Sequence, residues 1–113
     1  MERVNILKQA IIEVYEEYAA YLRGSNFSTI EYQIVADDIH LHYLLLAVGW
    51  EKQKRIFYVI FQADIKGNAI WIQEDNTEEG LATFLKEKGI SNKEIVLAYF
   101  PEYHRKYTEY AVA

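Results

Sequence analysis

The chain has 113 residues, 51% of them hydrophobic and 15% aromatic, with 17 acidic against 12 basic side chains and a formal net charge of -5. A domain of this size buries roughly two thirds of the surface its unfolded chain would expose, so the core needs no disulfide or metal staple, and the lack of cysteine fits a reducing compartment. The acidic balance argues against a protein that grips duplex nucleic acid by itself, since non-specific affinity comes from neutralising phosphates with a basic surplus.

One domain, residues 1–113, is expected. The first residues lack the apolar block of a signal peptide, and no apolar run approaches the roughly 18–20 residues of a bilayer span, so the expected location is the cytoplasm, away from the membrane. Val4, Leu7, Ile11, Val14, Tyr18 and Tyr21 recur at alternating spacings of three and four, one face of a helix over about residues 2–22. Gly24-Ser25-Asn26 ends it, because glycine just past the last turn adopts positive φ cheaply. A helix this short that carries a heptad-like stripe is read as packing on a sheet, with a coiled coil as the alternative.

Strands follow. Residues 29–36 alternate Ile30, Tyr32 and Ile34 with Glu31 and Gln33, which suits one dry and one wet face. HYLLLAVGW (42–50) and IFYVIFQADI (56–65) are apolar on both faces and read as central strands. Lys66-Gly67-Asn68 is a tight turn, because Gly and Asn tolerate left-handed φ, and AIWIQ (69–73) returns as a fourth strand. Asn76 with Glu79 forms the pattern of a capping box for a second helix with the face Leu81, Phe84, Leu85 and its exit at Gly89. Ser91 and Glu94 repeat that pattern before Ile95-Val96-Leu97, a helical turn followed by an extended segment. Pro101 stops whatever precedes it. The fold class is therefore α+β: an N-terminal helix, an antiparallel meander of about four strands, a second helix and a docked C-terminal tail. In that tail (FPEYHRKYTEYAVA) the tyrosine rings are expected to be buried, with Arg105 and Lys106 outward.

The candidate chemistry is sparse. His40 and His42, two apart on a predicted strand, point to one face. With Asp37, Asp38 or His104 they would supply the nitrogen and oxygen ligands of a divalent metal. This is the alternative reading: a metal-dependent binding protein or enzyme using His40, His42 and nearby acids. Ser25, Ser28 and Ser91 read as turn or cap residues, and none lies in a Gly-x-Ser-x-Gly elbow. Residues 77–100 superficially resemble a helix-turn-helix, but Ile95-Val96-Leu97 is too apolar for a DNA groove. The residue pattern thus points to a non-enzyme without cofactor. Trp50, Trp71, Tyr103, His104 and Arg105 are the candidate partner-binding residues, because partly exposed aromatic and arginine side chains are frequent hot spots.

Five stretches, in order and nearly end to end, carry a family resemblance: HYLLLAVGW (42–50), DIKGNAIWIQ (64–73), TEEGLA (77–82), KEIVL (93–97) and RKYTEYAV (105–112). Together they resemble the XisI family, the fdxN-element excision controlling factors of cyanobacteria. Leu41 stands where the family usually has an acidic residue before the His-Tyr pair. Phe100-Pro101-Glu102 replaces a usual His-Pro or His-x-Pro. The resemblance implies an accessory factor in programmed excision of a DNA element during heterocyst differentiation. A separate recombinase cuts the DNA, and the expected partners are an XisH-like protein, a second copy of this chain, or both. It implies no catalytic residues.

Overall fold

A computed structural model describes residues 2–24 and 29–112. The order is α1 (Glu2–Gly24), β1 (Glu31–Asp37), β2 (His42–Glu51), β3 (Lys54–Lys66), β4 (Ala69–Asp75), α2 (Leu81–Glu87), a 3₁₀ turn (Asn92–Glu94), β5 (Ile95–Leu97) and α3 (Glu102–Arg105). The five strands form one sheet in the order β1-β2-β3-β4-β5. The first four make the expected antiparallel meander, and β5 adds a parallel strand beside β4. The predicted end of α1 at Ser25-Asn26 lies outside the described residues.

The N-terminal helix packs on the sheet, as its length suggested. Its buried stripe is Leu7, Ala10, Ile11, Val14, Tyr15 and Ala19. This differs from the predicted stripe at its C-terminal end, where Tyr21 is 66% exposed and Tyr15 is wholly buried. Tyr15 stacks on Phe61, with ring centroids 5.5 Å apart, and its hydroxyl donates to the Tyr43 carbonyl at 2.9 Å. Burial, reinforced by the charges of Asp64 and Asp75, pushes its phenol well above the ordinary range. A buried hydroxyl needs such a partner, and this bond ties α1 to the start of β2.

Tyr43, Leu45 and Ala47 of β2, Phe61, Ala63 and Ile65 of β3, Ile70 and Ile72 of β4, and Ile95 and Leu97 of β5 face the helices and form the core with Leu81 and Leu85 of α2. Two bulges modify the ladder. Leu45 pairs with Phe61 but Leu46 with Val59, so Ile60 is an extra residue. Gln62 pairs with Glu74 but Ala63 with Ile72, so Gln73 is extra in β4. Bulges re-aim side chains locally, and both have consequences for the outer face.

The second helix begins differently from expectation. The Asn76–Glu79 box does not form: α2 starts at Leu81 with Gly80, at φ 91°, as its N-cap. Asp75 takes over the capping. One carboxylate oxygen accepts the Leu81 amide at 2.6 Å, and the other accepts the Thr77 amide at 3.1 Å and the Thr77 hydroxyl at 2.7 Å. Asn76 donates instead to the Val59 carbonyl at 2.7 Å, pinning the strand exit. At the second site the predicted pattern holds, with Glu94 accepting from the Ser91 amide at 3.1 Å across the 3₁₀ turn. The helix-turn-helix alternative fails here, because its second segment is the buried strand β5, with Val96 fully covered.

The tail follows the expected orientation at Lys106, which is exposed, and at Tyr110, and reverses it at Arg105, Tyr103 and Tyr107. Arg105 turns inward, donating to the carbonyls of Phe100 at 3.1 Å and Ala98 at 3.4 Å. Tyr103 and Tyr107 are 68% and 76% exposed. Tyr110 packs against the core and under Lys86 of α2, while Ala111 bridges Val96 in parallel fashion, its amide donating to the Ile95 carbonyl at 2.8 Å. The tail therefore wraps the β5 edge of the sheet. The guanidinium faces in because its fork satisfies two carbonyls at the strand exit that a tyrosine ring could not.

Candidate functional site

Helices α1 and α2 lie on one face of the sheet, and the other face carries side chains that no other element among the described residues covers except near β5. Cross-strand partners share a face, so the register lays this surface out in rows. Val35, Leu44 and Gln62 form one row; Gln33, Leu46 and Val59 the next; Glu31, Val48 and Phe57 the third; Trp50 and Arg55 the last. Leu44, Leu46, Val48 and Val59 are half-buried by their neighbours. Val35, Trp50 and Phe57 are 43%, 51% and 65% exposed. The guanidinium of Arg55 lies 5.3 Å from the Trp50 ring and 6.0 Å from Phe57, a cation–π arrangement that closes this end of the patch.

At the opposite end one row crosses the whole sheet: Asp37, His42, Asp64, Trp71 and Val96. Asp64 is the buried charged residue of the described chain, 6% exposed. Its carboxylate meets His42 Nδ1 at 2.8 Å and accepts from the amides of Gln62 at 3.3 Å and Gln73 at 3.1 Å. The Gln73 bond follows from the second bulge, which puts the extra residue next to Asp64. A buried carboxylate with several donors is a satisfied structural group.

His40 lies in the turn, not on the strand as expected. Its ring stacks near that of His42, with centroids 6.3 Å apart. Each histidine, however, is tied to a different carboxylate. His40 Nδ1 meets Asp37 at 2.9 Å, while the other Asp37 oxygen accepts the amides of Ile39 and His40 at 3.0 Å. These bonds, the His40 amide first, hold the Asp37 carboxyl below its usual range. Asp38 is held down by Lys8 and the Tyr43 hydroxyl. Burial and then Asp38 in turn push the Tyr43 phenol up to about 12. Among the described residues no three His, Cys, Asp or Glu side chains are placed to hold a metal ion. His104 is remote from this pair, stacked on Phe100 at 4.6 Å and edge-on to Tyr107. The residues proposed for metal or enzymatic chemistry thus act here as turn and sheet fasteners. Ser91 sits at the 3₁₀ turn, and Ser25 and Ser28 lie outside the described residues.

The five candidate partner-binding residues do not form one cluster. Trp71 and Arg105 come together, the guanidinium 5.5 Å from the indole centroid, with Lys66 at 4.6 Å from the same ring. Trp71 is half-buried, and its strand is not the outermost one as expected, because β5 and the tail lie beyond it. Tyr103 and His104 are on the adjacent α3. Trp50 is at the far end, nine positions along β3 by its partners Arg55 and Asp64, or roughly 30 Å. Phe57, Val59 and Val35, on the same outer face, are not among the residues that the sequence singles out. For Phe57 and Val59 the signal lies in the apolar character of both faces of the third strand; Val35 belongs to β1, where it stands among polar residues on the wet face.

No helix among the described residues is long and apolar enough to cross a membrane. The profile of the XisI protein family matches residues 1–112. A crystal structure of the fdxN element excision controlling factor XisI from Anabaena variabilis is similar, with a TM-score of 0.78 and 28% identity, covering 98% of this chain and 99% of that one. A XisI-like protein from the same organism has a TM-score of 0.73 and 30% identity over 91% of this chain and 99% of its own. No curated protein sequence matches significantly. With nearly the whole chain matched by the family profile and its α+β architecture shared with these solved structures, the chain belongs to the XisI family.

Proposed function

We propose that this XisI-family chain is a non-enzymatic controlling factor that works by protein contact through the uncovered face of its sheet. The observation that carries the reading is the apolar surface of Val35, Leu44, Leu46, Val48, Phe57, Val59 and Trp50, opposite the helices. Monomeric proteins rarely leave a contiguous patch of this kind open. Its centre is aliphatic and aromatic and its rim carries Glu31 and Arg55, the usual anatomy of an interface. The Asp64 carboxylate beside it is engaged within the chain by His42, Gln62 and Gln73, which supports a structural part for that group.

The related structure is named for control of fdxN element excision, and the same role is proposed here: an accessory factor in programmed excision of a DNA element, in heterocyst differentiation, with a separate protein doing the cutting. The partners proposed are an XisH-like protein and a second copy of this chain, in the cytoplasm, with no tight binding to DNA by this chain alone. Light scattering on the pure protein, followed by a pull-down with a co-expressed XisH-like protein, tests the reading. We expect a dimer, capture of the XisH-like protein, or both, and loss of that association in Phe57→Glu with an unchanged melting temperature. A strict monomer near 13 kDa that captures no such protein would overturn it.

A further inference from the structure

The helix side of the molecule holds a second feature that the sheet-face reading does not use. Between α1 and α2 lies a cavity of about 230 Å³ lined by Val14, Glu17, Tyr18, Tyr21, Phe84 and Glu87, with Lys88 at its edge. Its floor is aromatic. The Tyr18 ring is the hub, 5.9 Å from Tyr21 and 5.8 Å from Phe84, tilted 41° and 45° to them. The rings are tilted rather than stacked on one another, and Tyr18 also packs against Phe61, 5.3 Å between centroids, so the three lining rings form a wedge anchored on the core.

The rim is acidic. Lys88 is the one cation of the lining, and its ammonium is already taken by Glu17 and by Glu13, the latter at 3.6 Å. Those contacts, that with Glu17 first, raise its pKa. Glu87 has no ion pair among the described residues. Glu79 approaches closely enough that, after burial, its charge is the next cause raising the Tyr18 phenol. The cavity therefore joins three aromatic rings to the Glu87 carboxylate, left over once Glu17 has paired with Lys88, on a chain whose net charge is -5.

We infer that this cavity is a receptor for a single arginine side chain presented by a basic segment of a partner protein. The planar guanidinium stacks on aromatic faces and is only weakly hydrated, so it loses less than an ammonium on entering a half-buried wedge. Cation–π attraction strengthens as the cation is desolvated, and Glu87 supplies a carboxylate for the guanidinium fork. The wedge lies on the side of the sheet opposite Phe57 and Trp50, so this proposal stands independently of the one above.

The test is a titration of the intact protein with acetyl-Gly-Arg-Gly-amide, followed by amide chemical shifts. The control is the same peptide with citrulline, which keeps the shape and loses the charge. The expected result is saturable shifts confined to residues 17–21 and 84–88 with the arginine peptide and none with citrulline. Tyr21→Leu and Glu87→Gln, both at exposed positions and checked for unchanged melting temperature, should each bind about five- to tenfold more weakly. Equal response to both peptides would overturn the cationic specificity. Absence of saturable shifts up to about 10 mM, beyond the weakest range of useful recognition, would overturn the site. So would binding that both variants leave unchanged.

Discussion

Arg105 reaches back from the C-terminal turn and lays its guanidinium 5.5 Å from the Trp71 ring while donating to two carbonyls at the exit of β5. This contact, with the Ala111 bridge, is how the tail is fastened to the sheet. Arg105→Ala removes the two hydrogen bonds and the cation–π contact and should cost about 1–3 kcal/mol. Arg105→Lys should recover less than half, because an ammonium cannot present the planar fork. Deleting residues 103–113 should cost more than either, since it also strips cover from Val96 and Trp71. Urea midpoints for the three variants, with tryptophan emission shifting to the red, provide the measurement. Unchanged midpoints would mean the tail is merely resting on the sheet.

Acid stability follows from Glu94. Its carboxylate is held by Arg3 from the start of α1 and by the Ser91 amide, and these bonds, that from Arg3 first, depress its pKa against the opposing effect of burial. A folded pKa below the unfolded value, near 4.3, gives stability that is present above that value and lost as pH falls through the folded one. Glu94→Gln should therefore be less stable than the parent by about 1–2 kcal/mol at pH 7. The gap should be narrower at pH 3, below the unfolded value, because proton uptake by the parent's carboxylate then favours unfolding. Asp37 and Asp38, also depressed, titrate alike in both proteins. A gap of the same size at both pH values would refute this account.

The start of α2 depends on Asp75. Asp75→Asn keeps the shape but replaces a carboxylate that accepts three bonds. Loss of a helix N-cap typically costs about 0.5–2 kcal/mol, and the upper half of that range is expected here. Asn76→Ala should lose only the Val59 and Glu74 contacts and leave α2 helical. Amide exchange across residues 81–85 separates the two: faster in Asp75→Asn, near the parental rate in Asn76→Ala.

Duplex DNA should bind this chain weakly when it is alone. Arg55 and Arg105 lie at opposite ends of the outer face, and each is engaged with an aromatic ring. An anisotropy titration at 150 mM salt is expected to show no saturation below about 10 μM. A nanomolar isotherm that steepens as salt is lowered would place the DNA contact on this chain itself.

Much of the architecture was legible because it depends on local pattern. The three-and-four spacing from Val4 to Tyr18 specifies a helix with one apolar stripe. The alternation in β1 and the Gly67-Asn68 turn specify antiparallel neighbours, and together they determined an α+β chain with a meander. Long-range events decided the rest. Asp75 rather than Asn76 caps α2, because the bulge at Gln73 sets where β4 ends, and local spacing does not encode a bulge. Arg105 faces in because two carbonyls at the exit of β5 need donors, and those appear only once β5 has paired with β4. Whether the second apolar face of β2 and β3 is buried or left open could not be read from its residues: Leu44, Leu46 and Phe57 have the same composition in either case. Only the placement of both helices on the other side of the sheet leaves that face bare, and hydrophobic burial, being non-directional, does not reveal from sequence which surface the chain covers for itself.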